Sequence, residues 1–402
     1  MSYCVTTVGA VLKAIVSGKS IRTLERPAQQ NEFGILKVSA VTWGEFRPAE
    51  SKAMPLEYDP GECPRAMDGD ILISRANTRE LVGAPVMVHG DHPRLLLSDK
   101  LLKLIPDETA VDSRYLVRAL RSAGAALHFS QCAGGSSGSM TNITQGDIRS
   151  APLPLPPLPE QRRIAAILDQ ADALRAKRRE ALAQLDSLTQ SIFIEMFGTA
   201  LTDQLVWPKL SLAEVADVLT GYAFKSDEFV DLGSSTVRLC RGTNVMPGRV
   251  DWQDLACWPK AGIEALSSFI LVAGDIVMAM DRPWISEGFK IARITLSDCP
   301  ALLVQRVARV RARPNALDDF LYGLLRQPAF AQHCRPTETT IPHISPREIR
   351  SFGLRLPPLA LQQTFATRIQ AVEALKTTHR AALAELDALF ASLQHRAFSG
   401  GL

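Results

Sequence analysis

No apolar run in the 402-residue sequence is long enough to cross a bilayer; the most apolar stretch, Phe269 to Met280, is short and broken by Asp275. The first twenty residues lack a basic segment followed by an apolar core and a small-residue cleavage site, so no export signal is expected. Cysteine is sparse and without pattern. Cys4, Cys63, Cys132, Cys240, Cys257, Cys299 and Cys334 are odd in number and never spaced C-x-x-C, which points to reduced, mostly buried thiols of a cytoplasmic protein, not a zinc site or a disulfide frame. Charge of one sign is missing too. At a formal +3, any nucleic-acid binding must come from local basic surfaces.

Catalytic signatures are equally scarce. Ser17-Gly18-Lys19-Ser20 resembles the end of a phosphate-binding loop, but Lys13 stands where its first glycine is required. Asp281-Arg282-Pro283-Trp284 approaches the D-P-P-W signature of amino-methyltransferases without its first proline, and no glycine-rich cofactor loop accompanies it. Glu50-Ser51-Lys52 imitates half of a nuclease site with no aspartate at a suitable distance before it. None of the seven histidines sits in a metal-binding spacing. A chain that binds while others do the chemistry is the expectation.

What is present is a repeat. Ile148-Arg149-Ser150 recurs as Ile349-Arg350-Ser351, and Leu155-Pro156-Pro157-Leu158 as Leu356-Pro357-Pro358-Leu359, at an offset of 201, the difference between positions 349 and 148. From Ser139 to Gly198 the two copies align without a gap, about a third identical. Looser matches precede them: Gly69-Asp70-Ile71 with Gly274-Asp275-Ile276, Tyr115-Leu116 with Phe320-Leu321, Gly18 with Gly221. The chain reads as variable (1–151), constant (152–198), variable (199–352) and constant (353–402).

Each constant block opens on a proline-rich, extended connector and continues as a long helix, with Pro159 and Glu160 suited to its first turn and Gly198 to its stop. An apolar stripe of period about 3.5 runs through Ile164, Leu168, Leu174, Leu182, Leu185, Leu188 and Ile192. The second copy repeats it at Phe365, Ile369, Val372, Leu375, Leu383, Leu386, Leu389 and Leu393. One greasy stripe on a lone helix needs a partner, and the other copy supplies it; the two rods are expected to pack as an antiparallel coiled coil. Arg178 and His379, which interrupt the stripe at matching places, are expected to set register or lie at its edge.

The variable blocks mix short β-type runs (Ile71–Ile73, Val86–Val88, Leu95–Leu97, Leu101–Ile105) with one short helix each, Ser113–Arg121 and Asp318–Arg326, so each is expected to be a compact α/β domain with a twisted sheet. Several loops suit DNA. Ser74, Arg75, Asn77, Thr78 and Arg79 follow the first GDI strand with guanidinium forks and an amide; Arg282 and Trp284 stand at the corresponding place in the second domain, and the two loops are unrelated. Ser136, Ser137, Ser139 and Thr141 lie in a flexible hydroxyl-rich loop whose counterpart holds Thr339 and Thr340, and such loops can donate to phosphates. Arg309, Arg311 and Arg313 share one face of a strand, as a basic stripe for phosphates or equally a solvated sheet face; Arg241 and Asn244 complete the candidates.

Leu155-Pro156-Pro157-Leu158-Pro159-Glu160-Gln161-Arg162-Arg163-Ile164, with Ile192 to Gly198, resembles the conserved region of type I restriction–modification specificity subunits, and the doubled architecture extends the resemblance over the whole chain. The resemblance implies two target-recognition domains that each read half of a bipartite, asymmetric double-stranded DNA site, helices that measure the unread spacer, and two docked methyltransferase subunits joined by restriction (translocase) subunits. It implies no cofactor on this chain, with S-adenosylmethionine, ATP and Mg2+ on those partners. The second copy departs from the pattern, with Ala360-Leu361-Gln362 in place of Pro159-Glu160-Gln161, which predicts a less fixed helix start. A reading from another class is a non-catalytic coiled-coil adaptor whose α/β heads bind protein.

Overall fold

The computed structural model describes residues 3–57, 59–137, 140–198, 207–334 and 342–402, and divides by compactness into two units. One takes Met1–Arg179 with Ala381–Leu402, the other Glu180–Arg380. Each unit thus owns one variable domain and about half of each long helix, a division that cuts across the four sequence segments.

In the first unit the strand after Gly69-Asp70, Ile71–Ser74, lies in an antiparallel sheet ordered Leu12–Ser17, Leu101–Pro106, Ile71–Ser74, Pro85–Met87. All four residues of Ile71–Ser74 are buried. Ile71 and Ile73 enter one core with Tyr115 and Leu116 of the helix Ser113–Leu120, while Leu72 enters a second with Leu36, Val86 and Leu97. A strand covered on both faces reads as an unbroken apolar run, which is why alternation is absent here. The second sheet is ordered Ser51–Ala53, Gly34–Leu36, His92–Leu97, Arg65–Ala66, with Gly34–Leu36 parallel to His92–Leu97.

The second unit repeats this layout strand for strand. Ala216–Thr220, Val307–Ala312, Ile276–Ala279 and Ile291–Arg293 form one sheet in that order; Cys257–Pro259, Thr236–Cys240, Ala301–Leu303 and Ile270–Leu271 form the other, again with the one parallel pair, Thr236–Cys240 and Ala301–Leu303. Ile276 and Met278 face one core, Val277 and Ala279 the other. Each head then closes on itself: Val5–Thr7 pairs with Pro152–Pro154, and Lys209–Ser211 with Gly353–Arg355, immediately before the long helices.

Those helices run Leu158–Phe197 and Leu359–Ser399, 40 and 41 residues, or about 60 Å each. Gly198, at φ 70°, ends the first. Their starts are fixed by a residue that the sequence motif carries without explaining. Gln161 is buried; its Oε1 accepts from the Asp112 backbone N–H (2.8 Å) and its Nε2 donates to the carbonyls of Pro156 (2.8 Å) and Ala110 (3.1 Å). Gln362, 201 residues on, accepts from Leu317 N–H (2.8 Å) and donates to Pro357 (2.8 Å) and Asn315 (3.4 Å). The second helix start is therefore held by the same glutamine clamp as the first, contrary to the looser start expected. What Leu361 loses is the pairing of Glu160 with Arg163 (2.7 Å) and with the Tyr3 hydroxyl (3.2 Å).

Within each unit the two helix segments pack antiparallel. In the first, Ile164, Ala165 and Leu168 are buried with Ala397 against partly buried Phe390, Leu393 and Phe398. In the second, Phe193, Phe197, Phe365 and Ile369 share the main core, with Ile192 partly buried against it. Val372 is buried as well, and Leu182, Leu185, Leu383 and Leu386 are half-buried. Four stripe residues depart from the expectation: Leu174, Leu188, Leu375 and Leu389 are 44–52 % exposed. A pair of helices covers a narrow seam, and the stripe is wider than one partner helix can shield. Cross-helix ion pairs repeat at the same offset. Arg175 bridges Asp387 (2.6 Å) and Asp172 (2.9 Å), and the buried Lys376 bridges Asp186 (2.8 Å) and Glu373 (2.7 Å). These cations stand three residues before Arg178 and His379.

Candidate nucleic-acid interface

The motif Gly-Asp-Ile builds the end of each central strand. Gly69 (φ 80°) and Gly274 (φ 101°) adopt left-handed backbone that a side chain would strain. The following carboxylate closes the turn, Asp70 accepting from Met67 N–H (2.9 Å) and Asp275 from Val272 N–H (2.8 Å). The strand so anchored delivers its far end to the loop of interest.

That loop does not stand alone. In the first head Ala76–Asn77 pairs with Met140–Asn142, which in turn pairs with Gly134–Ser137, so the hydroxyl-rich loop is a short hairpin joined to the post-GDI segment. In the second head Asp281 bridges His343 at the same place, and Arg282 N–H donates to Pro342 (2.9 Å). Two stretches far apart in sequence thus form one surface in each head. The pairing was not legible in the sequence because it spans only two or three residues.

Within the first surface Thr78 and Arg79 are exposed and Arg75 is half-buried; Arg79 reaches the Ala133 carbonyl (3.5 Å). Asn77 is tied down, donating to Thr42 Oγ1 (3.1 Å) and accepting from Thr78 N–H (2.9 Å). Ser74 has no exposed surface, and the buried Thr141 donates to the Asn77 carbonyl (3.1 Å), so both hold the loop from inside. Ser139, Thr339 and Thr340 lie outside the described residues, as do the side chains of Ser136 and Ser137.

In the second head Arg282 is exposed at φ 45°, and half-buried Trp284 stacks toward Phe289 (5.3 Å between rings) against the core. Three other candidates are structural. Asn244, 1 % exposed, accepts from Arg241 N–H (3.0 Å) and donates to Asp251 (2.9 Å) and Asp254 (2.8 Å). Arg241 pairs with Asp254 (2.8 Å) and belongs to the same loop lock. Arg309, 4 % exposed, pairs with Asp217 (2.6 Å).

Arg311 clasps Asp275 through both ends of its fork (2.6 and 2.7 Å), and that carboxylate pushes its pKa above the ordinary arginine value. The expected basic stripe is therefore mostly neutralised, leaving exposed Arg313. The sheet is covered on both faces, so alternate residues face a second core where alternation alone suggests water. Lys290 is internal too; burial lowers its pKa and its amine is held by the Gly242 carbonyl.

The rejected motifs have structural roles. Gly18 and Gly221 each press against a neighbouring turn: an added Cβ would run into the carbonyl oxygens of Ser98 and Val304 respectively. Lys52 pairs with Glu25 (2.7 Å). The seven cysteines are free thiols. Among the described residues no group of three or more His, Cys, Asp or Glu is placed to hold a metal, and no helix is long and apolar enough to cross a membrane.

The family described as type I restriction modification DNA specificity domain matches residues 62–184 and 206–388. The specificity subunit of the type I restriction enzyme MjaVIII from Methanocaldococcus jannaschii is 26% identical over 295 residues, 70% of this chain and 68% of that protein. The EcoAI specificity subunit from Escherichia coli is 33% identical over 165 residues, 40% of this chain but only 28% of that longer protein. Among solved structures, the S subunit of a type I restriction–modification system from M. genitalium covers 99% of this chain and 96% of its own at 13% identity, with a TM-score of 0.56. A chain from a structure of type I R-M complex assembly and conformational transition covers 100% and 98% at 18% identity, with a TM-score of 0.55. At these identities the two structures speak for the fold.

Proposed function

The chain belongs to the type I restriction–modification DNA specificity family, and from that premise we propose that it reads a bipartite double-stranded DNA site, one half with each head. The observation that carries this is the repeated surface beside each central strand. Its framework is the same in both heads, whereas Asn77, Thr78 and Arg79 in one are replaced by Arg282, Pro283 and Trp284 in the other. Same frame and different side chains is what two readers of two different sequences require.

The helices are then the spacer between readers, and the half-exposed leucines 174, 188, 375 and 389 are surface on which other subunits can pack. Two methyltransferase subunits and the restriction subunits would supply the chemistry, carrying S-adenosylmethionine, ATP and Mg2+, in the cytoplasm. This chain contributes sequence choice and scaffold. The adaptor reading, in which the heads bind protein, predicts a different response to salt. The affinity of the full chain for duplex DNA should fall steeply with salt, with a log–log slope of about −0.9 per phosphate neutralised. Absent or salt-insensitive duplex binding would overturn DNA reading and favour the adaptor.

A further inference from the structure

A third segment meets each candidate surface. In the first head it is the turn Ser98–Leu101, closed by Leu101 N–H donating to the Ser98 carbonyl (3.0 Å); in the second it is Val304–Val307, closed by Val307 N–H to Val304 (3.2 Å). The third residue of each turn is a cation, Lys100 and Arg306. Each gives its backbone carbonyl to the residue that opens the post-GDI loop, Lys100 to Arg75 N–H (2.9 Å) and Arg306 to Met280 N–H (2.9 Å). The turns are seated by the glycines at which no Cβ fits, Gly18 under the first and Gly221 under the second. These are built positions, duplicated with the fold.

The two differ in how firmly the cation is aimed. Arg306 sits at φ 68°; with Arg282 it is one of two non-glycine residues with positive φ among the described residues, and both flank this surface. Backbone strain of this kind persists only where its surroundings over-determine it, and it gathers at working sites. Asp281 stands between the segments, 3.6 Å from Arg306 Nε and 2.5 Å from His343 Nδ1, while the Arg306 side chain remains 63% exposed. Lys100 is exposed, with no ion pair among the described residues and no left-handed backbone.

Resting on the DNA-reading proposal, we infer that Arg306 is a base-reading residue of the second head, aimed by Asp281 as a positioning residue, and that Lys100 in the equivalent turn is a phosphate contact. A planar fork on a strained, buttressed turn suits the two acceptors on a guanine edge. An unbuttressed ammonium on a flexible stem suits a point contact to backbone charge.

The test selects duplexes from a randomised library with the full chain, wild type and variants, and then measures binding across salt. Arg306→Ala and Arg306→Lys should lose preference at one base pair of one half-site, by roughly ten- to a hundredfold. Arg306→Gly should do the same, and glycine suits the left-handed backbone, so misfolding does not explain the loss. Asp281→Asn should blur the same base pair while overall affinity holds. Lys100→Ala should weaken all sequences alike and flatten the salt slope by about one. If wild type selects a motif that all Arg306 variants select equally well, or if Arg306→Ala weakens every sequence uniformly, the inference is wrong. If wild type selects no motif, DNA reading itself fails and this inference with it.

Discussion

The two heads are built on one plan and finished differently. Strand order, the parallel pair, the GDI turn, the glycine-seated turn and the glutamine clamp recur at nearly constant offset. What changes is the rim: Arg75, Thr78 and Arg79 in the first head, strained Arg282 and Arg306 around Asp281 in the second. The framework is duplicated where backbone must be held and diverges where side chains meet solvent. On the proposed function, that division separates holding from reading.

If holding is duplicated, equivalent substitutions should cost the same in both halves. The largest effect should come from Leu168→Asp and Ile369→Asp, buried stripe residues 201 positions apart (0% and 6% exposed). Each places a carboxylate in apolar surroundings at about 4 kcal/mol or more. The matching pair Leu174→Asp and Leu375→Asp, about half exposed, should cost no more than about 0.5 kcal/mol in the isolated chain. Denaturant unfolding measures both, and a large penalty at Leu174 would mean the seam lies elsewhere.

A smaller and sharper comparison is Gln161→Ala against Gln362→Ala. Each strands a backbone N–H and two carbonyls that the amide now satisfies, at about 2 kcal/mol. Similar losses of stability would confirm that the two helix starts are equivalent despite Glu160 and Leu361. A loss confined to Gln161 would show that the second start is held by other means.

The rods, the doubled heads and most central strands were legible in the sequence because period and repeat survive divergence. The stripe is wider than the seam it buries, since periodicity shows which residues share a face but not how wide a face the partner covers. The rim was legible in part. Among the candidates Thr78, Arg79 and Arg282 are exposed, whereas Ser74, Asn244 and Arg309 turn inward toward partners as distant in sequence as Asp217. Arg306 and Lys100 carry no sequence signal, because a lone cation in a two-residue turn has no pattern; their equivalence exists only in the fold. Gln161 lies within a recognised motif, yet its role depends on the Ala110 carbonyl and the Asp112 N–H, some fifty residues earlier.

On the proposed function, the heads read independently while the helices fix their separation. The direct measurement exchanges residues 1–151 for the equivalent domain of a relative, expresses the hybrid with methyltransferase partners and maps methylated adenines across the genome. One altered half-site is expected, with the other half-site and the spacer unchanged. Both half-sites changing together, or neither, would contradict it.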